Sequence, residues 1–370
     1  MKLAKIFYGS LLLSLPLAGS WIGVLPGTAR AEVSTGILAA AAASGSDGAG
    51  EKAGESKRQA QRAESSAQSD EILLLQARAI FGQMPEKMPG SEKDTPVRIK
   101  LGRMLYFEPN MSINRTQSCN SCHLLDEAHG GVDNLPTSLG AKGEFGPRNS
   151  PTVLNAGFQI AQFWDGRAAD LAEQAKGPIL NPKEMGMPDP DLAVERVRQL
   201  EKYQELFPQA FPGQKAPITY DNIAEAIAAF ERTLITRGRF DRFLAGDSEA
   251  LTREEKEGLE FFMNEGCIRC HSGPVLGGML YQKMGIYHPY PTDDLGRYEQ
   301  TKDEDDKFVF KVPMLRNVTL TAPYFHDGLV ATLAEAIDSM AWHQLDVTLQ
   351  RDQIDRLMRF LTAVADEQRT

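Results

Sequence analysis

Cys119-Asn120-Ser121-Cys122-His123 and Cys267-Ile268-Arg269-Cys270-His271 hold all four cysteines of the 370-residue chain. Cys-x-x-Cys-His is the attachment signature of a c-type haem. Two thiols three residues apart reach the two vinyl groups of one haem, and the histidine that follows lies under the ring to ligate the iron. Four cysteines can instead make two disulfides after export, or share a Cys2His2 zinc site. Neither alternative explains a histidine directly after each pair. The spacing therefore predicts two covalently bound haem c groups, and no cysteine is left over as a nucleophile.

Outward from the motifs, the chain divides into two halves, 71–238 and 239–370, with one motif each. The first half is rich in Gly, Pro and Asn between short helical runs. It closes on an amphipathic helix, with Asp221 as the expected cap and Ile223, Ile227, Phe230 and Leu234 at helical spacing. The second half opens with a helix, Leu251 to Met263, that leads into its motif. It closes with Asp352 to Val364, where Ile354, Leu357, Leu361 and Val364 share a face. Strand-like alternation is scarce. The expected fold is mainly α: two cytochrome c-like domains, one haem each.

Residues 1–31 read as a Sec-type leader: Lys2 and Lys5, an apolar run from Phe7 to Leu25, then Ala29-Arg30-Ala31 as a cleavage site. An uncleaved membrane anchor is the alternative, although Pro16, Pro26 and several glycines interrupt the run. The expected location is the periplasm. Residues 32–70 are rich in Ala, Ser, Gly, Glu and Lys and read as a flexible linker, with a first helix expected from Glu71. A composition of 42% hydrophobic and 24% charged residues gives each half enough apolar material for a core. The formal net charge of −10 becomes −13 once Lys2, Lys5 and Arg30 are removed with the leader. That acidic balance argues against nucleic acid as a partner.

Three stretches, GGVDNLPTSLG (130–140), GPRNSPTVLNAGFQIAQFWDGRAADLAEQAKGPILNPKEMG (146–186) and PMLRNVTLTAPYFHDG (313–328), resemble the bacterial di-haem cytochrome c peroxidases. The likeness runs from about residue 95 to the C-terminus, across both motifs in the same order. It implies two haems facing a shared domain interface. It implies a high-potential haem on His271 with Met340 as second ligand, since a thioether raises the reduction potential. The haem on His123 is then the one that meets hydrogen peroxide, with Glu184 as acid/base and Gln174 as its companion. Trp164 matches the tryptophan between the haems, and Asn149, Thr321 and Pro323 match an oxygen-ligand Ca²⁺ site. The implied partners are a small electron donor, either a monohaem cytochrome c or a copper protein, and a second copy in a homodimer. Without the resemblance, Met340 is one of 13 methionines and reads as core. Likewise Glu184 reads as a solvated carboxylate and Trp164 as a packed aromatic. His343 is the rival ligand to Met340.

One position departs from the family. Many members carry a histidine, between the TS-[IL]-G and GPRN segments, that caps the peroxide-binding haem in the resting state. Here it is Ala141. Either that haem lacks a protein ligand on its distal side, or His129 substitutes, with His288 and Lys142 as weaker candidates. His326 is expected to support the region between the domains. Two other functions stay in play. One is a MauG-like oxidase acting on a partner protein, whose second haem would take a tyrosine such as Tyr281, Tyr287 or Tyr290. The other is a non-enzymatic di-haem electron carrier.

Overall fold

The computed structural model describes residues 68–126 and 128–369; the expected leader and nearly all of the expected linker lie outside the described residues. The described residues belong to one compact unit. They form a mainly helical fold with a single two-stranded ribbon. In chain order the helices are α1 (68–81), α2 (Pro96–Tyr106), α3 (Leu171–Leu180), α4 (Pro190–Arg198), α5 (Glu201–Gln204) and α6 (Leu206–Ala210). They continue with α7 (Tyr220–Glu231), α8 (Arg239–Ala245), α9 (Arg253–Asn264), α10 (Tyr298–Thr301), α11 (Leu333–Met340) and α12 (Arg351–Ala363). Strands β1 (Tyr281–Lys283) and β2 (Val309–Lys311) pair antiparallel, with Tyr281 opposite Lys311.

Local chemistry sets the helix starts. Thr95 caps α2, whose first residue is Pro96. Thr252 and Glu255 form a reciprocal capping box on α9, at 3.2 and 2.9 Å. For α7 the cap is Thr219, whose hydroxyl accepts the Asn222 N–H at 3.1 Å. Asp221, the expected cap, instead lies in the first turn, where its charge suits the helix dipole. Leu234 lies beyond the end of α7.

Each half is built around one helix crossing made possible by a glycine. A Cβ on Gly102 of α2 would lie 1.7 Å from the Ala226 carbonyl oxygen of α7. A Cβ on Gly258 of α9 would lie 2.2 Å from the Arg356 carbonyl oxygen of α12. Only glycine permits backbones this close. Around these crossings sit two cores. One holds Leu101, Tyr106, Ile223 and Ile227, and the other holds Phe262, Leu357 and Phe360. Helix α1, already formed at 68, joins the second core through Leu73, Ala77 and Phe81, and Phe81 meets the Phe240 ring edge-on at 5.3 Å. Its apolar stripe is visible in sequence, but the partner it selects is far along the chain.

A second repeat lies between the motifs and the closing helices. Asn155 and Asn317 both take left-handed backbone, as do Phe163 and Phe325, and bridges 162–168 and 324–330 recur at the same offset. The two asparagine amides converge on one hydroxyl. Asn155 Nδ2 and Asn317 Nδ2 donate to Thr236 Oγ1 at 2.7 and 2.9 Å. Thr236 thus ties the equivalent loops of the two halves at their junction.

Glu231, at the end of α7, is 5% exposed, and its Oε2 has no hydrogen-bond partner. Burial pushes its carboxyl up to about 8, so it is a neutral acid at pH 7. The folded carboxyl holds its proton above the ordinary value of 4.5. Stability is therefore full below that value and declines as pH rises to about 8. Glu231→Gln removes this loss, on the order of a few kcal/mol at 1.36 kcal/mol per pKa unit. Its melting temperature is expected to exceed that of the parent at pH 8 and to match it near pH 4. Equal curves at both pH values would refute the buried-acid account.

Candidate functional site

Both cysteine motifs fold into the same short turn. Cys119–Ser121 and Cys267–Arg269 are single 3-10 turns. The His123 N–H then donates to the Cys119 carbonyl at 3.0 Å, and the His271 N–H to the Cys267 carbonyl at 2.9 Å. This winding puts each histidine one turn beyond its first cysteine. The four thiols are unpaired. Burial holds them above their ordinary range, Cys122 and Cys267 up to about 11, so without a bound group they are protonated thiols at neutral pH. Among the described residues no three His, Cys, Asp or Glu side chains converge as a metal site would require.

The second motif opens onto a cavity of about 390 Å³. Cys267, Cys270, His271, Trp164 and Met340 all line it. His271 is half-buried, and its Nδ1 lies 3.1 Å from the Leu276 carbonyl. A carbonyl only accepts, so Nδ1 carries the proton and Nε2 keeps its lone pair. Burial lowers this imidazole to about 4, which keeps it neutral, as a metal ligand must be. Met340 ends α11, and a five-residue π turn, Ala341–Leu345, follows it. That wide turn carries His343 elsewhere: its Nδ1 bonds the His288 carbonyl at 2.6 Å, and its ring meets Tyr290. The Tyr290 hydroxyl donates to Asp327 at 2.9 Å, Tyr281 lies under the Arg297 guanidinium, and Tyr287 lines the cavity while half exposed. A neutral imidazole nitrogen, a thioether and two free thiols around one enclosed space fit a haem.

Trp164 forms part of the opposite wall. Its Nε1 donates to the Asn149 carbonyl at 2.9 Å. Asn149, Thr321 and Pro323 border the same cavity, and Asn149 Nδ2 donates to the Leu135 and Pro136 carbonyls at 3.0 and 3.2 Å. His326 stacks on Phe310, meets Trp164 edge-on at 6.3 Å and hydrogen-bonds Thr292, so it braces the wall. Arg148 locks the segment from outside, with Asp165 at 2.7 Å and Asp294 at 2.6 Å.

Glu184 follows closely on helix α3. Helix α3 ends at Leu180, and Asn181 then turns the chain. Asn181 Oδ1 accepts the Lys183 N–H at 3.0 Å, and its Nδ2 donates to Glu184 Oε1 at 2.6 Å. Burial pushes the Glu184 carboxyl above its ordinary value, while Asn181 and the nearby Arg167 pull the other way. Burial is the main influence that raises the Cys119 and Cys122 thiols, and the Glu184 charge adds a smaller one. His123 is half-buried with its Nδ1 shielded from solvent, and desolvation favours its neutral form. Its Nδ1 lies near the Gly131 and Pro151 carbonyls without a well-formed hydrogen bond. Gln174 lies half-buried on α3.

The family of di-haem cytochrome c peroxidases matches residues 96–249. A cytochrome c551 peroxidase from Nitrosomonas europaea is 47% identical over 272 residues, 73% of this chain and 80% of that protein. The chain belongs to the di-haem cytochrome c peroxidase family. A second cytochrome c551 peroxidase, from Pseudomonas aeruginosa, is 43% identical over 314 residues, covering 82% of this chain and 88% of the relative. Among solved structures, a MauG-like protein associated with microbial copper homeostasis superposes with a TM-score of 0.70 at 30% identity. That match covers 77% of this chain and 94% of the other. Membership of a di-haem peroxidase family implies haem c, in agreement with the donor sets above.

Against that family, Ala141 is informative. It is buried, and its N–H donates to the Glu184 carbonyl at 2.7 Å. Its neighbour Gly140 packs so tightly that a Cβ there would lie 2.1 Å from the Lys183 carbonyl oxygen. The loop that carries a capping histidine in many members here serves as a backbone brace for Glu184. His129 is engaged by Asp126 at 2.6 Å, and its carbonyl accepts from Arg369 at 2.9 Å. His288 stacks on Trp342 at 3.7 Å and pairs with Asp346. Lys142 lies over Gly186. Sequence reading missed Asn181, although an Asn two residues before a Lys-Glu pair is a recognisable Asx turn. It also missed Thr236 and Lys311, for which no local signal exists.

Proposed function

We propose that this chain reduces hydrogen peroxide to water in the periplasm, with electrons delivered one at a time by a small donor protein. What supports the reading is the Glu184 carboxylate, half-buried and held by Asn181, near enough for its charge to act on Cys119 and Cys122. When bound, two haems would supply a peroxide-binding iron on His123 and an electron-storing iron between His271 and Met340. Cys119 and Cys122, and Cys267 and Cys270, would tether them as thioethers. Glu184 takes the proton from the near oxygen of peroxide and returns it to the departing one, and Gln174 on α3 assists it. Asn181 keeps the Glu184 carboxylate aimed during both transfers. Trp164 offers an aromatic path between the two sites. Asn149 spends its amide nitrogen on two carbonyls, which leaves its oxygen, with those of Thr321 and Pro323, for a Ca²⁺ ion. The two halves, 71–238 and 239–370, act as the peroxide and electron-entry domains, α1 excepted. The functional unit is a homodimer.

Ala141 supports a further feature of this cycle: no histidine has to be displaced before peroxide enters. The oxidised holoprotein is expected to show a high-spin signal from the His123 haem and to turn over peroxide with reduced cytochrome c, without prior reduction. A low-spin bis-histidine signal with a lag would overturn the ungated reading. Two permanently low-spin irons inert to peroxide would overturn the enzyme reading in favour of an electron carrier. The same Ala141 favours, as a second reading, an oxidase that acts on a partner protein. It ranks behind because Met340 lines the second cavity, whereas Tyr281 and Tyr290 do not and Tyr287, which does, is half exposed.

A further inference from the structure

Lys311 ends β2, and its backbone N–H donates to the Trp164 carbonyl at 2.8 Å. The residue lines the same cavity as Met340 and His271, yet only 5% of it is exposed. The ammonium donates to Gln159 Oε1. Among the described residues no carboxylate pairs with it. A lysine has three N–H donors, so two are left without a partner in an enclosed space. A buried cation without a counter-charge is costly, and Lys is almost never buried unpaired. Burial alone pushes this ammonium down to about 8. The other buried cation of the wall shows the contrast. Arg316 is held by both Asp241 oxygens, at 2.6 and 2.7 Å, and by the Pro274 carbonyl. Arg316 is satisfied without any ligand, and Lys311 is not.

We propose that Lys311 anchors a propionate carboxylate of the group that fills this cavity, and that its charge raises the reduction potential of the haem bound by His271. The inference rests on the reading that a haem occupies the space between His271 and Met340. A propionate supplies the missing anion, and Gln159 holds the ammonium toward it. Adding an electron to the iron makes the site one unit more negative. A fixed cation within the low-dielectric wall therefore favours the reduced form, and an unneutralised propionate opposes it. Lys311 also joins the two halves, since its partners Gln159 and Trp164 come from the first half and β2 from the second.

The test compares wild type, Lys311→Met and Lys311→Arg as holoproteins. Midpoint potentials of both haems are measured by spectroelectrochemistry, and propionate bending modes by resonance Raman. Lys311→Met is expected to lower the equilibrium constant for reduction of the His271 haem about tenfold, equivalent to 59 mV for one electron. The His123 haem should stay unchanged, and Lys311→Arg should stay close to wild type. The wild-type propionate mode is expected at its strongly hydrogen-bonded position and to fall in Lys311→Met. An unshifted midpoint in Lys311→Met, or equal shifts in the Met and Arg variants, would overturn the proposal. If Lys311→Met does not retain haem, the wild-type Raman band decides: a free-propionate position overturns it. Absence of any His/Met-ligated haem from wild type would instead reject the underlying haem assignment, a separate outcome visible in the absorption spectrum.

Discussion

Glu184→Gln is expected to lower kcat/KM for hydrogen peroxide by roughly 10²- to 10⁴-fold, the usual contribution of a positioned acid/base. Haem content and both midpoint potentials should stay in place. The amide is isosteric and still reaches Asn181, but it cannot accept a proton from one peroxide oxygen and pass it to the other. The pH profile gives a sharper signature. Burial holds the Glu184 carboxyl above its ordinary value. A base is active only when ionised, so the acid limb of kcat/KM lies at higher pH than an exposed glutamate would give. Glu184→Gln should abolish that limb. Asn181→Ala removes the 2.6 Å hydrogen bond that favours the ionised form, so it should move the limb further up. A Glu184→Gln enzyme within threefold of wild type, with its acid limb intact, would remove Glu184 from the chemistry. The motif haems would then need another proton carrier.

How far the molecule was legible beforehand depended on the range of each signal. The Cys-x-x-Cys-His turns are five-residue chemistry, and they fold as the spacing implies. The helices α7, α9 and α12 were legible from apolar periodicity to within three residues. The errors sit at their ends, where a single hydroxyl decides: Thr219, not Asp221, caps α7, and Leu234 falls outside it. The mate of α1 was not legible, because the stripe Leu73, Ala77 and Phe81 fits any apolar groove, and the one it fills is built by Phe240 and Phe262 far downstream. At the site, the roles proposed for Glu184, Trp164 and Met340 come only through resemblance to a family. Periodicity reads them as surface acid and ordinary core. Ala141 was visible as a departure, but its role as a brace for the Glu184 backbone depends on a hydrogen bond across 43 residues. Lys311 and Thr236 illustrate the limit of sequence reading. Each matters because two distant segments leave one polar group between them, and neither segment alone shows that.

Met340→His should change turnover through potential rather than through peroxide chemistry. Axial ligands set haem potentials across about 0.8 V, and a thioether lies toward the high end. Exchanging it for an imidazole is expected to lower the His271 haem by on the order of 0.2 V, still within that span. At 59 mV per decade for one electron, this costs about three decades in the equilibrium with a fixed donor. Steady-state turnover with reduced cytochrome c should then fall by a similar factor. Peroxide binding at the His123 site in the oxidised protein should be unaffected, because neither His123 nor Glu184 lines the cavity that Met340 lines. The control is His343→Ala. Its Nδ1 is committed to the His288 carbonyl at 2.6 Å, and the π turn carries it away from the cavity that Met340 lines. That variant should keep the wild-type midpoint. If the midpoint instead collapses in His343→Ala and survives Met340→His, then histidine is the second ligand. Electron entry would then run at low potential, which a small high-potential donor could not drive.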